Sequence, residues 1–203
     1  MDIATRAQGL DPSRLLPVEP QARAIGRDLY AAVQGLPIIS PHGHTDPRWF
    51  AENAAFPDPA QLFVTPDHYV FRMLCSQGVP LTELGVPRVD GGPTETDGRA
   101  IWRRFAEHYH LLRGTPSRMW IDQAFAEVFG VEERLSTRTA DAIYDRIADC
   151  LARPEFRPRA LFERFGIEVL ATTESPLDPL AHHRAIRESG WGGKVVTAYR
   201  PDP

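Results

Sequence analysis

The chain has 203 residues, 42% of them hydrophobic and 25% charged, the balance of an ordinary globular protein with one good-sized core or two small ones. A formal net charge of −4 and a pI near 6.0 give no support for nucleic-acid binding, which normally needs a basic face. No apolar run approaches the roughly 20 residues that span a bilayer, the N-terminus lacks the apolar centre of a signal peptide, and the cytoplasm is the expected location.

Residues 1–20 read as irregular, because Pro12, Pro17 and Pro20 interrupt any long helix. From Gln21 to Leu36 apolar side chains recur at helical spacing (Ala24, Ile25, Leu29, Tyr30, Val33), and Gly35 and Pro37 close that helix. The run Leu36-Pro37-Ile38-Ile39-Ser40-Pro41 reads as a short buried strand, with His42-Gly43-His44 at its C-terminal end.

Residues 45 to 165 read as mainly helical and broken by Pro and Gly. Helices are expected over Arg48–Ala54, Asp67–Gln77, Gly98–His110, Ser117–Phe129, Thr137–Leu151 and Arg159–Phe165, with a loop over Val86–Pro93. Cys75 and Cys150 are too few for a disulfide framework, and their helical, mixed apolar context suggests buried free thiols. The pattern then changes to a strand over Ile167–Thr173, a helix over Asp178–Ser189 and a strand over Lys194–Tyr199. That order is a βαβ unit, so the two strands should be parallel neighbours.

The architecture expected is therefore α/β: about three parallel strands with a large helical insertion after the first. Residues 1–44 and 166–203 would form part of a β/α barrel and residues 45–165 a helical subdomain. A full eight-stranded barrel takes about 250 residues, so the favoured reading is a truncated barrel rather than a small open α/β fold.

Three motifs could carry chemistry. In a strand, residues i and i+2 point to one side, so His42 and His44 can converge on one cation, with Gly43 leaving room between them. The bland alternative is two unrelated loop histidines. Asp46 could be a further ligand, but a turn or helix cap before Pro47 fits it better. Second, Asp67 can cap a helix whose first turn carries His68 and Tyr69, both capable of proton transfer when tuned; the plain alternative is a capped helix with Tyr69 in the core. Third, Arg200 in Tyr199-Arg200-Pro201-Asp202 follows the last strand, where a guanidinium can grip a carboxylate through two parallel hydrogen bonds; alone it reads more readily as a surface arginine in a loop. Thr172-Thr173-Glu174 closes the preceding strand at the same mouth, or is a simple loop with Ser175 as a cap. His108, His110, His182 and His183 fall on helices and read as solvated or structural.

Taken in order, Ser40-Pro41-His42-Gly43-His44 with Ala51-Glu52-Asn53, Asp67-His68-Tyr69 with Arg72-Met73, Met119-Trp120 ahead of Phe129-Gly130, Ala171-Thr172-Thr173-Glu174-Ser175-Pro176 and Tyr199-Arg200-Pro201-Asp202 resemble the uronate isomerases (glucuronate isomerase) of the amidohydrolase superfamily over about residues 20 to 203. The resemblance implies a metal-dependent (β/α)8 TIM barrel with a large helical insertion after strand 1. It implies interconversion of D-glucuronate with D-fructuronate and of D-galacturonate with D-tagaturonate. It implies a divalent metal, often zinc, on His42 and His44, proton handling or orientation by Tyr69 with His68 beside it, and substrate binding by Arg200. The family's metal-binding Asp, its partner Arg and a further His would lie on strands beyond Pro203, so the chain alone is expected to be inactive. A metal-dependent hydrolase of the same superfamily, or a sugar-acid or metal-binding module without turnover, are the alternatives. The partner expected is a small uronate, with no nucleic acid and no membrane; homo-oligomerisation of a full-length protein is left open.

Overall fold

A computed structural model describes residues 10–201. Residues 1–9, which open the first expected segment, and Asp202 of the third motif lie outside the described residues.

The chain divides into two compact units. Among the described residues, one comprises 10–14 and 56–152; the other comprises 15–55 and 153–201.

The second unit holds a three-stranded parallel sheet of order β1-β2-β3, formed by Ile38–Ser40, Ile167–Glu174 and Lys194–Tyr199. Leu170 stands opposite Ser40 on one side and Val195 on the other. Helix α9, Ala181–Glu188, connects β2 to β3, so this segment is the expected βαβ unit. Helices α2 (Pro47–Glu52) and α8 (Pro158–Arg164) complete the packed layer. Phe50, Phe162 and Ile186 of these helices meet Leu170 and Val195 of the sheet in one apolar core, closed by Trp191 stacked on Phe50 at 5.8 Å. Helix α2 ends on Asn53 in the left-handed conformation, which asparagine tolerates well. Its last carbonyls are then satisfied from α8: the Arg159 guanidinium donates to the carbonyl oxygens of Phe50 (2.8 Å) and Ala51 (3.2 Å).

The strand that the sequence marks as buried is not. Ile38 and Ile39 are 49% and 62% exposed. The physical reason is position: among the described residues β1 is a three-residue edge strand paired on one side alone. Helix α1, Pro20–Val33, likewise exposes the apolar stripe of Ile25, Leu29 and Val33 and buries none of its residues.

The first unit is helical. Val64, Val70, Leu74, Ile101, Trp102, Phe105, Ile143 and Ile147 fill its core. They come from α4 (His68–Cys75), α5 (Gly98–His108), α7 (Ala140–Leu151) and the short α3 (Pro59–Phe63) with its cap, an element the sequence reading passed over. The expected helix over Ser117–Phe129 is α6, Pro116–Gln123, continued by a wider π turn over Ala124–Val128. Cys150 is buried as expected but Cys75 only half so, and neither is in a disulfide.

Proline needs the main correction. Reading it as a breaker placed helix starts late at Pro20, Pro47 and Pro158, whereas α1, α2, α3, α6 and α8 each carry proline in the first turn. There the missing N–H is one the helix would leave unpaired anyway. Asp46 is such a helix cap, accepting from the Arg48 N–H at 2.8 Å. Among the described residues no helix is long and apolar enough to cross a membrane.

Candidate functional site

The C-terminal ends of β1, β2 and β3 lie side by side, and the site is built on them. Beyond Ser40 the chain leaves strand geometry, so His42 and His44 sit on an irregular segment rather than in the strand. Strand geometry therefore does not account for their convergence, but the convergence itself is present. The two Nε2 atoms are 3.1 Å apart, with ring centroids at 5.0 Å and planes at 73°. The segment is held by two hydroxyls: Ser40 donates to the His42 carbonyl and Thr173 to the Gly43 carbonyl, each at 3.3 Å.

An open pocket of about 380 Å³ is lined by His42, His44, Thr173, Ala198, Tyr199, Arg200 and Pro201. Every lining residue belongs to the sheet-bearing unit. The structure therefore brings Arg200 to the histidine pair, across a strand register that sets Thr173 beside Ala198. Thr173 is a lining residue that sequence reasoning weighed but did not select. The usable signal was its place as the penultimate residue of β2, on the face opposite Thr172 and Glu174.

That other face carries a buried polar cluster. Thr172 is fully buried; its hydroxyl donates to the Val196 carbonyl at 3.2 Å and lies 2.9 Å from Nε2 of His183. With the single hydroxyl proton used on Val196, the Nε2–H of His183 is the donor. Glu174 is 3.7 Å from the same nitrogen and accepts from the Thr197 hydroxyl. Of the four helical histidines, His183 is thus structural, tying α9 to the sheet.

His68 and Tyr69 lie in the other unit, on the first turn of α4. Asp67 caps that turn, accepting from the N–H groups of Tyr69 (2.8 Å) and Val70 (3.3 Å). The His68 and Tyr69 rings are 4.2 Å apart, and Tyr69 is 57% exposed, so it is not a core residue.

The donor set suits a divalent ion. Two imidazole nitrogens on one tetrahedral zinc, each at about 2.0–2.1 Å, stand roughly 3.3 Å apart, near the spacing found. Neutral imidazoles facing each other otherwise need one N–H aimed at the other's lone pair. No group of three or more His, Cys, Asp or Glu side chains able to hold a metal occurs among the described residues. The pair is thus one ligand short of the three protein ligands usual in catalytic zinc sites.

Comparison with known proteins identifies the family. The family model for glucuronate isomerase matches residues 21–203. The uronate isomerase of Rhizobium meliloti is 63% identical over 193 residues, covering 95% of this chain and 41% of that protein. That of Mesorhizobium japonicum is 64% identical over 192 residues, with the same coverage of 95% and 41%. The crystal structure of glucuronate isomerase from Caulobacter crescentus superposes with a TM-score of 0.91 at 57% identity, over 96% of this chain and 40% of that one. The Thermotoga maritima uronate isomerase gives 0.80 at 28% identity, over the same 96% and 40%. The chain spans about two fifths of the length of the curated relatives it matches. With nine-tenths of its residues inside the family match and a sheet that follows the solved relatives, the chain belongs to the glucuronate isomerase family.

Proposed function

We propose that this chain supplies the metal-binding and carboxylate-binding part of a uronate isomerase that interconverts D-glucuronate and D-fructuronate, and D-galacturonate and D-tagaturonate. The observation that carries the reading is the His42–His44 pair, 3.1 Å apart, in one pocket with Arg200 at the ends of parallel strands. Strand ends of this kind are where β/α barrels place their chemistry. On this reading the sheet-bearing residues are part of such a barrel and the helical stretch between β1 and β2 is an insertion.

His42 and His44 would hold a divalent ion, zinc by choice of donors. Such an ion supplies Lewis-acid polarisation of the substrate's carbonyl or hydroxyl oxygen. Arg200 takes the uronate carboxylate, the one group that separates these substrates from neutral sugars. Tyr69, with His68 beside it, keeps the part the family resemblance gives it, handling a proton or orienting the reacting oxygens. In the aldose-to-ketose direction a C2–H bond breaks and a C1–H bond forms, while the proton on O2 leaves and one is gained on O1. No oxidant or second substrate is consumed.

The test is a chimera in which this chain replaces the matched two fifths of the Caulobacter glucuronate isomerase. Glucuronate should be converted to its ketose, followed by NMR, and His42→Ala or His44→Ala should reduce turnover at least a hundred-fold. A folded chimera without turnover, or full activity in both histidine variants, overturns the assignment. The 203-residue chain alone should show no turnover.

A further inference from the structure

The end of β2 ties down three elements with three consecutive side chains. Thr172 and Glu174 point to one face, Thr172 to the buried His183 and Glu174 to the Thr197 hydroxyl. Thr173 points to the other, into the pocket. Its hydroxyl donates to the carbonyl of Gly43, the residue between the two histidines. The ladder between β1 and β2 has ended by then, at Ser40 opposite Leu170. Beyond that point the Thr173 hydroxyl ties the neighbouring strand to the histidine segment.

Two further features make this tie a geometric constraint. The segment runs close to β2, since a Cβ at Gly43 would lie 3.3 Å from the Ala171 carbonyl oxygen. Thr173 is β-branched and sits in a strand, so its χ1 is stiff and the hydroxyl position is set by the backbone. The strand's own rotation is fixed from behind, because Thr172 is buried between His183 and the Val196 carbonyl.

We propose that Thr173 is a positioning residue of the two-histidine site. By holding the Gly43 carbonyl it sets the separation and mutual tilt of the His42 and His44 rings before any ligand arrives. Preorganised ligands lose less freedom on binding, so the tie is read out as affinity for a divalent ion. As a statement about metal affinity this rests on the two histidines being ligands; as a statement about ring geometry it does not.

The experiment uses the full chain with Thr173→Val, which keeps shape and removes the hydroxyl, and Thr173→Ser, which keeps the hydroxyl. Without metal, ring proton signals of His42 and His44, assigned through His42→Ala and His44→Ala, should shift in Thr173→Val and return towards native positions in Thr173→Ser. Signals of His108, His110 and His183 should stay in place, which separates a local effect from a loss of fold. Titrated with zinc, Thr173→Val should bind about three- to ten-fold more weakly at unchanged stoichiometry, the scale of one hydrogen bond, and Thr173→Ser within two-fold of the parent. Unmoved His42 and His44 signals in Thr173→Val, or equal losses in both variants, overturn the proposal. Should the parent chain bind no zinc at these histidines while their signals still move, the metal reading fails and the positioning role stands.

Discussion

A side-chain carbon at Gly43 would stand 3.3 Å from the carbonyl oxygen of Ala171, on the neighbouring strand. The Gly43 backbone itself is not in the left-handed region, so an alanine there is opposed by space alone. Gly43→Ala should leave the fold intact and push the histidine segment outward by a few tenths of an ångström. Zinc affinity should fall about ten-fold, as for other changes that disturb ligand orientation from outside the ligand set. Calorimetric titration of the folded variant checks this; parent-like affinity would remove Gly43 from any role in spacing the rings.

In the helical unit the indole of fully buried Trp102 donates to the Ala140 carbonyl at 2.9 Å, joining α5 to α7. Its ring also packs on Phe105 and Phe125. Trp102→Ala should destabilise the unit by about 3–5 kcal/mol, through lost burial and the cavity left behind. Trp102→Phe, which keeps a ring but loses the donor, should cost about 2 kcal/mol. Urea unfolding followed by far-UV circular dichroism distinguishes the two.

Acid should weaken the same pair of helices. The Asp141 carboxylate of α7 accepts two 2.9 Å hydrogen bonds from Arg103 and one of 3.3 Å from Arg99, both on α5. The Arg103 hydrogen bond is the main cause that holds Asp141 below its ordinary 3.8, with Arg99 adding to it. The folded value is therefore the lower one, so the stabilisation is present above about pH 4 and fades as pH falls through the folded value. Asp141→Asn should lower the melting temperature slightly at pH 7, where so exposed a pair contributes weakly, and flatten the drop between pH 5 and 3 by the same small amount. Identical slopes in both proteins would show that the pair is not coupled to folding.

The apolar stripe of Ile25, Leu29 and Val33, together with Ile39 on an edge strand, should make the isolated chain self-associate. Leu29→Glu and Ile39→Lys should each move sedimentation profiles towards monomer at concentrations where the parent is oligomeric. A parent that stays monomeric at those concentrations would contradict this.

The sheet and the pocket were legible to different degrees for physical reasons. Ile167–Thr173 and Lys194–Tyr199 show themselves as short runs rich in apolar and β-branched residues on either side of a clear helix. The His42–His44 pair was visible through its spacing, and Arg200 through its place just past a strand. What the sequence did not show is pairing at long range: that Thr173 reaches Gly43, or that Thr172 would be closed in by His183. Such ties depend on register, which one sequence does not encode locally. Ile38 and Ile39 mislead in the opposite sense, since apolar character marks a residue suited to burial without guaranteeing a layer to bury it.

The hydrogen bond from Thr173 to Gly43 joins residues 130 positions apart, with the whole of 56–152 lying between them in the chain. Closing a loop of that length from an open coil is slow, and few local interactions reward it early. Prior folding of the helical segment would withdraw nearly a hundred residues from the search and leave short tethers to be closed. The assembly of the histidine pocket is then kinetically downstream of a core that contributes no atom to it. Weakening that core at Trp102 should delay the native ring signals of His42 and His44 during refolding, although the pocket itself is unaltered.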